Sequence, residues 1–396
     1  MATPGATLPR AADGRREIPH TVSPGLWTLA WRRLRADRVG MVSLAIVAAF
    51  LAMMILSATG LIAKDWAREV GVNYAPPSFL GADVEAGAPA APGAPGAPEA
   101  APPASDHQSS IVDPLADVIA ELKGAKPAAP AGPAAPAAPA EGRSVDPLAD
   151  VMADIRASKG AAAPAPAETR SATLPFGGDK WGRDVIAKTI KGSETSIFVG
   201  IMSAIVAVAL GTLFGAISGY YGGWVDDAFN WFYSVFNSIP YLLLILAVAA
   251  VLQQKGVVTI ILILGLTGWT GVFRLIRAEY LKHKSREYVQ AADAIGASNA
   301  RRMFVHIFPN VSHVVLVQLS ILTVGFIKAE VILSFLGFGV PVDVVSWGSM
   351  LNEAQNELIL GYWWQLAAAT LFMAVLVTAF SLFTDALRDA LDPKLK

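Results

Sequence analysis

The chain has 396 residues, and its 31 Lys and Arg against 32 Asp and Glu give a formal net charge of -1. Hydrophobic residues reach 54% while charged ones are 16%, against about 25% charged in an ordinary soluble domain; this argues against a wholly soluble protein and leaves no global field to attract nucleic acid. There is no cysteine, which excludes disulfides, thiolate metal sites and cysteine nucleophiles.

Residues 1–38 form a basic tail with Arg10, Arg15, Arg16, Arg32, Arg33, Arg35 and Arg38. Val39 to Ala63 follows without a single Asp, Glu, Lys or Arg. A span needs about 20 apolar residues to cross the bilayer core. This run is too long for a signal-peptide core and starts too far in, so a retained transmembrane helix is expected at 40–62. Residues 64–194 form a long connecting segment. Within it, 86–167 is Ala/Pro/Gly-rich and holds fifteen of the 26 prolines. Such a composition buries too little apolar surface to offset ordering entropy, and a disordered spacer is expected. Val112-Asp113-Pro114-Leu115-Ala116-Asp117-Val118 recurs as Val145 to Val151. Each copy reads as a short amphipathic helix, with Asp113 as N-cap and Pro114 at the first turn of the first copy. A neutral duplication and a pair of docking helices both remain open.

The region 195–396 carries five further charge-poor runs, giving expected spans at 196–220, 228–252, 256–277, 311–334 and 361–384. The fold class is thus an all-α membrane protein with six transmembrane helices. Lys and Arg gather on one side of these spans. They lie in the N-terminal tail, in the connection between spans four and five, and at the C-terminus. The positive-inside rule then places both termini in the cytoplasm and 64–194 outside.

The connection 279–310 is the most informative stretch. Glu287, Tyr288, Gln290, Ala291, Ala292 and Asp293 lie in a short helix rich in strong helix formers. Gly296 suits a left-handed C-cap, Ser298 an N-cap for the next helix, and Pro309 marks the start of span five. The result is a compact knuckle. An ordinary interfacial hairpin would share this spacing.

The segment resembles the EAA loop of ABC importer permeases. Gln290-Ala291-Ala292, Gly296, Phe308 and Pro309 fall on that pattern; Gln290 and His306 depart from it. Gly178-Asp179-Lys180-Trp181-Gly182-Arg183-Asp184 resembles the stretch before span two in dipeptide, oligopeptide and nickel importers. Leu333 to Val340 with Ser346-Trp347-Gly348, Asp385 to Pro393, and Trp31 to Gly40 resemble further segments of that group. The likeness covers 25–75 and 172–396 and omits the Ala/Pro insert. It implies type I importer permease architecture and the second of two different permease subunits, hence a heterodimer in the bacterial inner membrane. It also implies cytoplasmic ATPase subunits docked on the knuckle and an external substrate-binding protein. Peptides are the default cargo, with nickel chelates, glycans and peptide-like antibiotics open.

The remaining features are modest. Gly211, Gly215 and Gly219 form a small-residue stripe for close helix packing. Lys328 and Glu330, near the end of span five, are candidates for a gate or pathway role, or simply snorkel to the outer boundary. Arg274 and Arg277 are expected to anchor to headgroups, and Tyr362-Trp363-Trp364 to form an interfacial belt. No phosphate-binding loop, catalytic constellation or metal-ligand spacing is present, so no enzyme activity, metal or resident cofactor is expected. A secondary transporter would need ionisable or unwound mid-membrane segments. A membrane-anchored scaffold would leave the knuckle without a role.

Overall fold

The computed structural model describes residues 26–81 and 170–391. The Ala/Pro insert, its duplicated heptads and both chain ends lie outside the described residues.

An amphipathic helix, α1 (Leu26–Ala36), leads into α2 (Arg38–Ala58). Asp37 caps α2 by accepting from the Val39 N–H at 2.9 Å. Ala30 and Leu34 of α1 are buried, while Leu29 and Trp31 are exposed. A small cap follows, built from 64–81 and 170–184. Isolated bridges join its two halves, among them Gly71 with Ser171 and Pro77 with Leu174.

The central element is α3 (Val185–Tyr221). Its 37 residues span about 55 Å at 1.5 Å per residue, far more than the 25 residues expected at 196–220. The charge-free-run criterion stopped at Glu194, yet Lys191 pairs with Glu194 within α3 and Lys188 pairs with Asp179 of the cap. Pairing removes the penalty that makes an isolated charge end a span.

Spans three and four are each broken. The first bent pair is α4 (Gly223–Asn237) and α5 (Tyr241–Leu252), at 84°. Pro240 stands at this corner; it cannot continue the helix and pushes Ile239 out of the α region. The second pair is α6 (Val257–Thr267) and α7 (Thr270–Lys284), bent by 43° at Gly268 and Trp269. The expected uninterrupted helices at 228–252 and 256–277 are therefore corrected. Among the described residues, four helices are long and apolar enough to cross a membrane, or up to six if each bent pair counts as one span.

A short helix, α8 (Glu287–Ala294), precedes α9 (Asn299–Phe335). Then come α10 (Trp347–Ile359) and α11 (Trp364–Leu391). Span five thus begins well before 311, because α9 is continuous through Pro309. Arg302–Ile307 within it is a π-helical turn. Pro309 has no N–H for the Val305 carbonyl and its ring crowds that oxygen, so the preceding turn widens.

Three apolar clusters organise the bundle around α3. One joins Val47, Ile197, Ile327, Trp347 and Leu376. Another joins Ala207, Ile245, Leu264 and Phe326. The third joins Ala216, Tyr220, Ile276, Tyr280, Val289 and Ile307. That last cluster seats α8 on the bundle.

Candidate functional site

The knuckle is α8, the turn at Gly296 and the start of α9. Gly296 has φ +83°, the left-handed region. Its N–H donates to the Asp293 carbonyl at 2.9 Å, and the Ala297 N–H to the Ala292 carbonyl at 3.0 Å. This pair of bonds ends a helix with its last carbonyls satisfied and needs a residue without a Cβ penalty. Ser298 then caps α9, its hydroxyl accepting from the Arg301 N–H at 3.4 Å.

The two sides of α8 differ. Val289 and Ala292 are buried against the bundle. Glu287, Tyr288, Gln290, Ala291, Asp293 and Gly296 are exposed. Ala292 therefore packs inward, and of the two adjacent alanines only Ala291 is presented outward. Ile295 is 85% exposed at the tip of the turn, a feature the sequence reading missed.

Polar ties hold the knuckle. The Tyr288 hydroxyl lies 2.8 Å from His283 Nδ1 on α7, and Asn310 Nδ2 donates to it at 3.5 Å. Burial lifts the Tyr288 phenol above its ordinary range, so it stays protonated. The buried Tyr280 hydroxyl donates to the Met303 carbonyl at 3.2 Å. That carbonyl also accepts from the Phe308 N–H in the π turn.

The glycine stripe lies where α3 crosses α7. A Cβ on Gly211 would stand 2.6 Å from Val272 Cβ, on Gly215 2.8 Å from the Phe273 carbonyl, and on Gly219 2.6 Å from the Arg277 carbonyl. Backbone meets backbone along this contact. At its far end Arg277 holds Asp226 of α4 with Nε and Nη2, each at 2.5 Å. Arg277 is thus an intramolecular clamp rather than a headgroup anchor; Arg274 lies 3.5 Å from the Tyr233 hydroxyl.

Lys328 and Glu330 do not act as a pair. Lys328 is exposed. Glu330 is fully buried and accepts from the Ser196 hydroxyl of α3 and the Ser334 hydroxyl of α9, each at 2.7 Å. Ser196 in turn accepts from the Trp347 N–H at 3.2 Å. Glu330 pins α3, α9 and α10 together and does not snorkel.

A second polar site joins the cap to the bundle, at the opposite end of α3 from the knuckle. Asp179 Oδ1 accepts from the N–H groups of Trp181 and Arg183 at 2.9 and 3.0 Å. Its Oδ2 accepts from Arg183 Nε at 2.7 Å and Lys188 Nζ at 2.8 Å. Lys188 also donates to Glu353 of α10 at 2.6 Å and to Gln365 of α11 at 3.2 Å. Burial alone would raise the Asp179 carboxyl, but Lys188 and these hydrogen bonds hold it below the usual range. Glu357 is buried nearby, and neither of its oxygens has a hydrogen-bond partner among the described residues. Burial, reinforced by Asp179 and Glu353 and opposed by Lys188, pushes it up to about 7. Trp364 is buried here, its indole donating to the Gly178 carbonyl at 2.7 Å, and Tyr362 stacks on Tyr74 at 4.3 Å. These two aromatics dock the cap, while Trp363 between them is exposed. Lys188, Glu353, Glu357 and Gln365 were not singled out from the sequence.

Residues 211–396 match the family described as the inner membrane component of binding-protein-dependent transport systems. Residues 25–77 match the N-terminal transmembrane domain of oligopeptide transport permease C. The dipeptide transport permease DppC of Bacillus subtilis is 38% identical over 226 residues, 57% of this chain and 70% of that protein. The oligopeptide permease OppC of the same organism is 37% identical, over 56% of this chain and 72% of its own length. The peptidoglycan transport permease YejE of Agrobacterium fabrum is 35% identical, over 55% and 56%. The chain belongs to the family of ABC importer permeases.

Membership gives the geometry its context. Permeases of this family are multi-pass inner-membrane components of transporters, not enzymes, and carry the type I importer fold. The two family matches leave residues 78–210 between them, so the Ala/Pro insert lies outside both. The knuckle, Pro309 and the α3–α7 crossing lie within or at the edge of the matched residues.

Proposed function

We propose that this permease pairs with a second, homologous permease subunit to form a pathway for peptides, opened by separate ATPase subunits that seat on α8. An external substrate-binding protein delivers the cargo to the cap end of the bundle. Both termini and the knuckle face the cytoplasm, as the basic residues require.

The observation that carries the reading is the two-sided α8. Its inner side is anchored through Val289 and Ala292, while Glu287, Gln290, Ala291, Asp293 and Gly296 are exposed beside the 85% exposed Ile295. An exposed apolar tip on a rigidly held short helix fits a groove on a partner protein. Peptides follow from the relatives' own substrates, and the YejE likeness keeps cell-wall fragments as a second cargo class. Lys328 is retained as a pathway candidate because it is exposed.

The test is peptide uptake into vesicles holding this chain, its partner permease and the ATPases, with the binding protein outside. Wild-type complex takes up peptide only with ATP. Gly296→Pro, which breaks the turn, leaves the chain in the membrane and abolishes uptake. Full uptake by that variant contradicts the coupling role of α8.

A further inference from the structure

One residue links α8 to the far end of α3. Arg302 opens the π turn of α9. Its Nη1 lies 2.6 Å from Asp293 Oδ1 on α8. Its Nη2 donates to Asn299 Oδ1 at 2.5 Å, and the same oxygen accepts from the Tyr220 hydroxyl of α3 at 3.0 Å. The Arg302 guanidinium also stands over the Tyr220 ring, 5.9 Å from its centroid. Lys284 at the end of α7 stands over the same ring at 5.6 Å. One guanidinium therefore touches the helix that meets the ATPase, the span it sits in, and the ring at the end of the central span.

The fork is not fully satisfied in this arrangement. Arg302 Nε is buried and has no hydrogen-bond partner among the described residues, although buried polar groups ordinarily are paired. Displacing α8 gives Nε room to find an acceptor.

We propose that Arg302 is the positioning residue that carries displacement of α8 into α3 and α9, through Asp293 on one side and Asn299 and Tyr220 on the other. This deepens the coupling reading above and rests on it. Arg302 does not touch the ATPase; it transmits what α8 receives. The planar fork matters, because an ammonium at this position cannot address Asp293, Asn299 and the Tyr220 face together.

The experiment compares wild type, Arg302→Ala, Arg302→Lys and Tyr220→Phe in the reconstituted transporter. ATPase co-purification, ATP hydrolysis and peptide uptake are measured on the same preparations. The expected result is wild-type co-purification with uptake per ATP reduced about three- to thirty-fold in Arg302→Ala. Arg302→Lys is reduced nearly as much and Tyr220→Phe less. Unchanged uptake per ATP in an assembled Arg302→Ala complex overturns the relay. Loss of ATPase co-purification in Arg302→Ala also overturns it, making Arg302 a docking residue. If Arg302→Ala does not accumulate, Arg302→Lys and Tyr220→Phe decide: wild-type uptake per ATP in either overturns it. Wild-type chain that recruits no ATPase contradicts the coupling reading itself, a separate failure.

Discussion

Lys188 Nζ lies 2.8 Å from Asp179 Oδ2 with both side chains buried, joining the cap to the first turn of the central helix. Glu353 and Gln365 complete the ammonium's partners from α10 and α11. One cation therefore ties the cap and the start of α3 to α10 and α11, which lie 165 and 177 residues further along the chain.

Removing that cation leaves the buried Asp179 carboxylate with Arg183 as its remaining charged partner. Lys188→Met is expected to destabilise the folded protein by about 2–3 kcal/mol, less than a fully uncompensated buried charge costs. Asp179→Asn should cost less, because Lys188 keeps Glu353. Thermal unfolding in detergent checks both.

Glu357 gives stability a pH dependence of a particular sign. Its folded-state pKa is raised to about 7, above the unfolded value, so the folded protein binds the extra proton. The stabilisation is complete below the unfolded pKa and is lost as pH rises through about 7. Unfolding temperature should fall between pH 5 and 8, by an amount on the order of 2 kcal/mol in stability. Glu357→Gln should flatten that slope. Asp179 works in the opposite sense, but only at lower pH, because its pKa is depressed.

The α3–α7 crossing tolerates no added bulk. Gly215→Ala places a Cβ 2.8 Å from the Phe273 carbonyl and 3.0 Å from the Arg277 nitrogen, both backbone atoms that cannot swing aside. A loss of about 1–3 kcal/mol is expected, and Gly215→Leu should not accumulate as folded protein. Gly296→Ala is the contrast. Among the described residues nothing lies within 4 Å of its Cβ position, so only the left-handed backbone is strained, at about 1 kcal/mol. Membrane-fraction yield and unfolding temperature separate the two cases.

Much of this was legible in local spacing. The four-residue period of Gly211, Gly215 and Gly219 was visible as a packing stripe, and the Gly296 and Ser298 signals fell where the helix ends lie. Other features had local signals that were passed over. Pro240 marks the corner between α4 and α5, Pro309 explains the widened turn before it, and the Val289–Ala292 spacing shows which side of α8 faces in. The cap network had no local signal. Lys188 finds its partners 9, 165 and 177 residues away, so charges that seemed to delimit the second span are paired by tertiary contact. Glu330 and Arg277 were misplaced for the same reason. Each looked like a boundary charge and is an internal tie.

The central claim, that α8 and the exposed Ile295 receive the ATPase, has a direct test. The chain has no cysteine, so Ile295→Cys and, as a control on the cap, Phe79→Cys each provide a single thiol. Maleimide labelling rates are measured on the permease complex alone and with the ATPase subunits bound. The account predicts strong protection at residue 295 and no change at residue 79. Equal labelling at residue 295 with and without bound ATPase would contradict it.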